Sequence, residues 1–303
     1  MNLLHSYVNG NTTVELFDDG TKIRTYSGKP EVVHPESIDV KITDYCDAGC
    51  HYCHEQSTRA GKHSDLNALL QQLSLLPAGV EIAIGGGNPL SHPGLLDFLF
   101  EIKSRGIVAN ITVNEKHLRP YQDLIIKLAT EKLVNGIGIS YASKTRLKYV
   151  EPIMQVSDNV VFHMIMGIND LNQIEELSSF CKKNNKSCKI LVLGYKQYGF
   201  GLNYYLKNKS IEDNKYQWFI GLAKFFKQEN MTLSFDNLAI EQLKLKRFFT
   251  DEAWDKFFMG KDGAYTCYMD AVKQEFAKSS TTKERVSFND SNIIEFFKGI
   301  SKV

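Results

Sequence analysis

The chain has 303 residues, 43% of them hydrophobic, with 36 basic and 35 acidic side chains. That length can bury a substantial core in one large α/β domain or two small ones, and the balanced charge excludes a bulk electrostatic argument for nucleic acid or an anionic membrane. No stretch approaches the roughly 18 uninterrupted apolar residues of a membrane span. The start, Met-Asn-Leu-Leu-His-Ser, has no charged region followed by a long apolar run, so a signal peptide is not expected and a cytoplasmic location is.

Thr13–Phe17 and Lys22–Tyr26 flank Asp18-Asp-Gly20, which predicts a β-hairpin, because Asp-Gly supplies the positive φ such a turn needs. Residues 28–35 read as a connector. A strand–helix alternation then sets in. Strands are predicted over 37–43, 81–86, 107–114, 136–142, 160–167 and 187–195, with a seventh over 232–236. Helices are predicted between them: one opening at Ser64-Asp65 with Leu66, Leu69, Leu70 and Leu73 as its apolar stripe, then 93–104, 120–133, 146–155, 170–184 and 212–229. Repeated βα units imply a parallel sheet with right-handed crossovers. Six or seven units predict a partial (β/α)6-type barrel over residues 37–236, preceded by the hairpin and connector (1–36). Residues 237–303 break the rhythm: helices over 238–248 and 251–259, a second hairpin from 264–270 and 275–278, and a helix over 291–300. They read as a mixed α+β flank packed on the core.

Strand faces that pack on helices must be apolar. Ile38, Val40 and Ile42 take that face in the first barrel strand, so Asp39, Lys41 and Thr43 point inward. By the same alternation Asn110, Thr112 and Asn114, with Glu81 and Ser140, face a polar lumen. Pairing of Lys41 with Asp39 or Glu81 is expected to be structural. Thr43, Asn114 and Ser140 sit at carboxyl ends of strands, the rim where parallel barrels build active sites.

The loop after the first of these strands reads Cys46-Asp-Ala-Gly-Cys50-His-Tyr-Cys53, three of the six cysteines in eight residues. In a reducing compartment such clusters bind metal or do chemistry. Zinc could take the three thiolates with His51 or His54, which would make the chain a non-enzymatic, zinc-stabilised binding protein. Three thiolates without a fourth also suit an iron–sulfur cluster with one open iron. The spacing C-x3-C-x2-C, the aromatic Tyr52 before the last cysteine, and the position after the first barrel strand together resemble the radical S-adenosylmethionine (SAM) superfamily. The resemblance implies an oxygen-sensitive 4Fe–4S cluster on Cys46, Cys50 and Cys53, SAM on the open iron, reductive cleavage of SAM, and hydrogen abstraction from a substrate. It also implies an electron donor such as flavodoxin or ferredoxin.

Two further segments carry the resemblance. Gly85-Gly86-Gly87-Asn88-Pro89 looks like the family's Gly-Gly-Glu-Pro segment, which contacts the methionyl amino group. Here Asn88 replaces the Glu and offers an uncharged carbonyl acceptor. Gly136-Ile-Gly-Ile-Ser140 looks like the fourth strand, with Ser140 at the SAM ribose or carboxylate and Asn114 in the same pocket. Tyr52 is expected to support the adenine or simply to pack. Met164–Ile168 and Leu191–Tyr195 resemble adenine-flanking segments or are ordinary buried strands. His92 reads as a helix-start residue, and Asp236 as a candidate substrate contact. The aromatic stretch 195–205 reads as a loop at the substrate entrance. Cys181, Cys188 and Cys267 read as small core residues, with Cys267 also considered as a hydrogen-atom donor. No dense cysteine set marks a SPASM-type tail. For the substrate, a peptide or protein side chain is expected first and a nucleoside or small polar metabolite second.

Overall fold

The computed structural model describes residues 1–301. Three strands, β1 (Leu3–Asn9), β2 (Thr12–Phe17) and β3 (Lys22–Tyr26), form an antiparallel sheet in that order. The hairpin expected from Asp-Gly is therefore joined by a further strand, β1, not expected from the sequence. Its signal was Asn9-Gly10, a turn in which Gly10 has φ +64 and a Cβ would meet the Glu31 carbonyl oxygen at 1.8 Å.

Seven βα-type strands follow: β4 (Ser37–Thr43), β5 (Glu81–Gly86), β6 (Val108–Asn114), β7 (Gly136–Ser140), β8 (Val160–Ile165), β9 (Cys188–Leu193) and β10 (Met231–Phe235). Between them lie α1 (Leu66–Leu73), α2 (Leu95–Ser104), α3 (Gln122–Thr130), α4 (Glu151–Val156), α5 (Asn172–Lys183), α6 (Phe200–Lys207) and α7 (Ser210–Gly221). The chain ends with α8 (Asn237–Leu243), α9 (Asp251–Phe257), β11 (Thr266–Asp270), β12 (Glu275–Ala277), β13 (Val286–Ser287) and α10 (Ile293–Ile300).

These strands make one ten-stranded sheet in the order β10-β9-β8-β7-β6-β5-β4-β11-β12-β13. Neighbours from β10 to β11 pair in parallel, and β12 and β13 add antiparallel. The sheet does not close, so the architecture is an open, partial barrel. The C-terminal hairpin is a continuation of the barrel sheet beside β4, not only a layer packed on it.

The helix-side core follows the strand alternation. Ile38, Val40 and Ile42 are buried together with Ile82, Ile84, Ile111 and Val113. Leu69 and Leu73 of α1 and Phe98, Leu99 and Ile102 of α2 cover them. Each such side chain contributes about 1.5–3 kcal/mol when fully buried. The α1 cap is Asp65, whose Oδ1 accepts the Asn67 N–H at 2.9 Å. The N-terminal sheet reaches the barrel through buried ion pairs: Lys22 Nζ lies 2.8 Å from Glu81 Oε2, and Arg24 Nη2 lies 2.7 Å from Glu36 Oε2. The pairing of Lys41 with Glu81 expected from the sequence is therefore not formed: Glu81 pairs with Lys22 instead.

Candidate active site at the cysteine loop

The cysteine loop leaves β4 at Thr43 and is clasped to the glycine segment that leaves β5. The Gly87 N–H donates to the Thr43 carbonyl and the Asn88 N–H to the Tyr45 carbonyl, both at 2.7 Å. This contact explains two glycines. A Cβ on Gly87 would meet the Tyr45 oxygen at 2.1 Å, and one on Gly86, where φ is +106, would meet the Thr43 oxygen at 2.5 Å. Gly85 is different: nothing lies within 4 Å of its would-be Cβ, which faces the open lumen. Pro89 begins a 3-10 turn and is buried.

The three thiols stand half-buried on the loop. Gly49, at φ +64, lets the loop turn in open space. Burial pushes the Cys46 thiol up, reinforced by Cys50 and Cys53; burial also pushes Cys50 up, against the pull of Lys116. The Asn114 amide sits 3.5 Å from Cys50 Sγ, so the end of β6 reaches the loop. Lys116 Nζ donates to the Ala48 carbonyl at 2.5 Å. His117 Nε2 meets Asp47 Oδ1 at 2.8 Å. Burial works against the charge on Asp47, but a backbone amide and His117 hold its carboxyl below the usual range. None of these loop contacts from residues 116 and 117 had a signal in the sequence.

Asn88 is fully buried, and its side-chain carbonyl oxygen has no hydrogen-bond partner. Its amide lies 3.5 Å from Asp47 Oδ1 and also faces the Tyr121 hydroxyl. A buried carbonyl left without a partner costs about 1–3 kcal/mol, so this atom waits for a donor. Ser140 ends β7 in register with Asn114 and His163 and is half-buried.

The stretch after β9 is not a loop throughout. Gly199, at φ +54, turns the chain into α6, and the Phe200 N–H donates to the Cys53 carbonyl at 3.0 Å. A Cβ on Gly199 would meet the His54 oxygen at 2.4 Å. Glycines and aromatics are weak helix formers, and here docking on the cysteine loop overrides propensity. Phe200, Tyr204 and Lys207 of α6 line a cleft of about 830 Å³ with Cys46, Cys50 and Arg59. Tyr52 packs edge-on against Tyr204, with centroids 6.0 Å apart. It also lines a small cavity of about 60 Å³ with Ile165, Leu193 and Lys196. The structure thus brings Tyr52 to the ends of β8 and β9.

Other predicted residues lie elsewhere. Asp236 accepts the Gly194 N–H at 2.9 Å and the Ala239 N–H at 2.7 Å, so it caps α8 and ties it to the end of β9. His92 accepts the Gly94 N–H at its Nδ1 and faces the Ser64 carbonyl with Nε2, as a helix-start residue does. Cys267 is buried on the helix-side face of β11, in register with Ile38. The lumen-facing positions of β11 are Thr266, Tyr268 and Asp270, so Cys267 does not join the site. Cys181 and Cys188 are buried core residues at the ends of α5 and β9. Asp39 opens to water in the lumen but is ringed by protein: burial, with Asp262 and Asp236, pushes its carboxyl up against the pull of Lys196.

The donor set fits an iron–sulfur cluster. Among the described residues no three Cys, His, Asp or Glu side chains converge on a single ion position. Three half-buried thiols on one loop are the soft donors such a cluster takes, one thiolate to each iron. Among the described residues no helix is long and apolar enough to cross a membrane.

A family model described as the radical SAM superfamily matches residues 40–197, just over half of the chain. No curated protein matches it. The fold is similar to the crystal structure of Streptococcus suis SuiB bound to the precursor peptide SuiA, at 14% identity and TM-score 0.60, covering 90% of this chain and 68% of that one. It is likewise similar to SuiB bound to S-adenosylmethionine, at 13% identity and TM-score 0.61, covering 89% and 68%.

Proposed function

The chain belongs to the radical SAM superfamily and is an enzyme, and on that premise we propose that it cleaves SAM at a 4Fe–4S cluster held by Cys46, Cys50 and Cys53 and abstracts hydrogen from a peptide side chain. When bound, the reduced cluster would supply the electron that splits SAM into methionine and a 5′-deoxyadenosyl radical. The chain's own residues bind and orient. Asn88 offers its unpartnered carbonyl oxygen to the methionyl ammonium, and this orphaned buried acceptor beside the cysteine loop is the observation that carries the reading. Gly85 leaves room for the cofactor on the lumen side. Ser140 and Asn114 hold polar groups at the strand ends, and Tyr52 stands beside Ile165 and Leu193 at the ends of β8 and β9, on the side where the adenine would lie.

A peptide substrate is favoured by the open barrel, with room for more than a metabolite, and by the SuiB structure, which is bound to a precursor peptide. The wet, charged lumen around Asp39 favours a nucleoside or small polar metabolite as the second reading. A protein electron donor such as flavodoxin or ferredoxin would deliver the reducing electron.

The test is anaerobic reconstitution with iron and sulfide, reduction and addition of SAM. The wild type is expected to turn brown and release 5′-deoxyadenosine, and Cys50→Ala to lose both. A colourless wild type that retains one zinc and leaves SAM intact would sink the proposal.

A further inference from the structure

The first barrel strand carries a cation that the chemistry above does not use. Lys41 is almost fully buried, and its Nζ lies 2.7 Å from Asp44 Oδ1, 3.2 Å from Glu55 Oε2 and 2.9 Å from Asp270 Oδ2. Asp44 stands two residues before Cys46, and Glu55 two residues after Cys53. Asp270 ends β11 and is in register with Lys41. One ammonium therefore touches both feet of the cysteine loop and the C-terminal strand. Tyr268, two residues earlier on the same face of β11, donates its hydroxyl to Glu55 Oε1 at 3.2 Å.

The surrounding backbone makes room for this arrangement. A Cβ on Gly86 would come within 2.8 Å of Lys41 Cγ, so the second glycine of the β5 segment also lets the lysine side chain pass. The expected partner Asp39 is not among its contacts.

We propose that Lys41 is the positioning residue of the cysteine loop: its ammonium closes the base of residues 44–55 and locks that loop to β11. A loop whose ends are untethered samples many shapes, and closing it at the base removes most of them. A buried cation shared by three carboxylates adds little net stability over an apolar core, but it imposes a geometry. Three carboxylates on three different segments impose it on all three at once. The C-terminal segment then helps to hold the loop in shape, although it contributes no cysteine to it. The inference rests on the reading that Cys46, Cys50 and Cys53 carry a cluster.

The experiment compares wild type, Asp270→Asn and Lys41→Met in two measurements. Hydrogen exchange on the metal-free full chain reads the loop itself. Iron content and the electron paramagnetic resonance spectrum of the reduced, reconstituted protein read the cluster. In Asp270→Asn the amides of 44–55 are expected to exchange about tenfold faster while the helix-side core of β5 and β6 is unchanged, and the cluster spectrum is expected to shift. Lys41→Met should show larger changes in both. The proposal is overturned if both variants keep wild-type loop exchange and spectrum, or if protection falls uniformly over the whole chain, as for an ordinary core ion pair. Should Lys41→Met fail to fold, Asp270→Asn decides alone. Should the wild type take up no cluster, the cluster reading fails while the exchange arm still decides the role of Lys41.

Discussion

Asn88 shows how a single side chain can be held ready at a cost. Its buried carbonyl oxygen has no partner, while the amide end faces Asp47 and Tyr121. Replacing it with alanine removes that unpaired group, so Asn88→Ala is expected to keep or slightly raise the thermal midpoint. The same change should weaken SAM binding about tenfold, the loss of roughly one hydrogen bond to a charged group. Calorimetric titration of SAM into the reconstituted protein, beside a melting curve, checks both halves. His163 is a second residue with a measurable signature. Its ring lies across Gly138, where a Cβ would come within 2.4 Å of Cε1, and burial pushes its pKa down to about 4. The unfolded chain therefore binds this proton more readily than the native one, and stability rises with pH. The contribution is complete above the ordinary histidine value of about 6.5 and is lost as pH falls from there toward 4. The unfolding free energy measured in urea should fall from pH 7 to pH 4, and in His163→Gln the fall should be shallower by about 3 kcal/mol.

At the scale of elements, the site is a clasp between two loops and a helix. The glycine segment after β5 donates two backbone hydrogen bonds to the cysteine loop after β4, and α6 is held at the Cys53 carbonyl. The glycines of that segment divide by role, and substitution separates them. Gly87→Ala would drive a methyl into the Tyr45 carbonyl, so the clasp must open; cluster content after reconstitution is expected to fall severely. Gly85→Ala meets nothing in the protein, so folding and cluster content are expected to survive while SAM binding weakens, because the methyl occupies lumen space. Equal loss of iron in the two variants would contradict this division. From sequence all three glycines are expected to contact the cofactor, because a run of glycine at a strand end carries no label for which neighbour approaches it. Residues 195–205 look like a loop for a similar reason, since the partner that makes Phe200–Lys207 a helix lies about 150 residues away in the chain.

At the scale of the molecule, an open ten-stranded sheet is bounded at one strand edge by the C-terminal hairpin and linked to the N-terminal sheet by buried charge. Lys22 and Glu81 are both mostly buried. Lys22→Met leaves the carboxylate without its partner and is expected to cost about 3–5 kcal/mol in urea unfolding, most of it recovered in the double variant Lys22→Met/Glu81→Met. Non-additivity of that size would show that the N-terminal sheet is energetically part of the barrel. The sequence by itself determined the strand–helix alternation, the polar lumen face and the three-cysteine loop, because periodicity, turn chemistry and short-range spacing are local properties. Only the tertiary structure decided that β11 lies parallel to β4, that α6 seats on Cys53, that Asn88 is left with an unpaired carbonyl, and that Lys41 gathers Asp44, Glu55 and Asp270. Those depend on contacts between segments far apart in the chain, where the identity of a residue does not say which partner the folded backbone will bring to it.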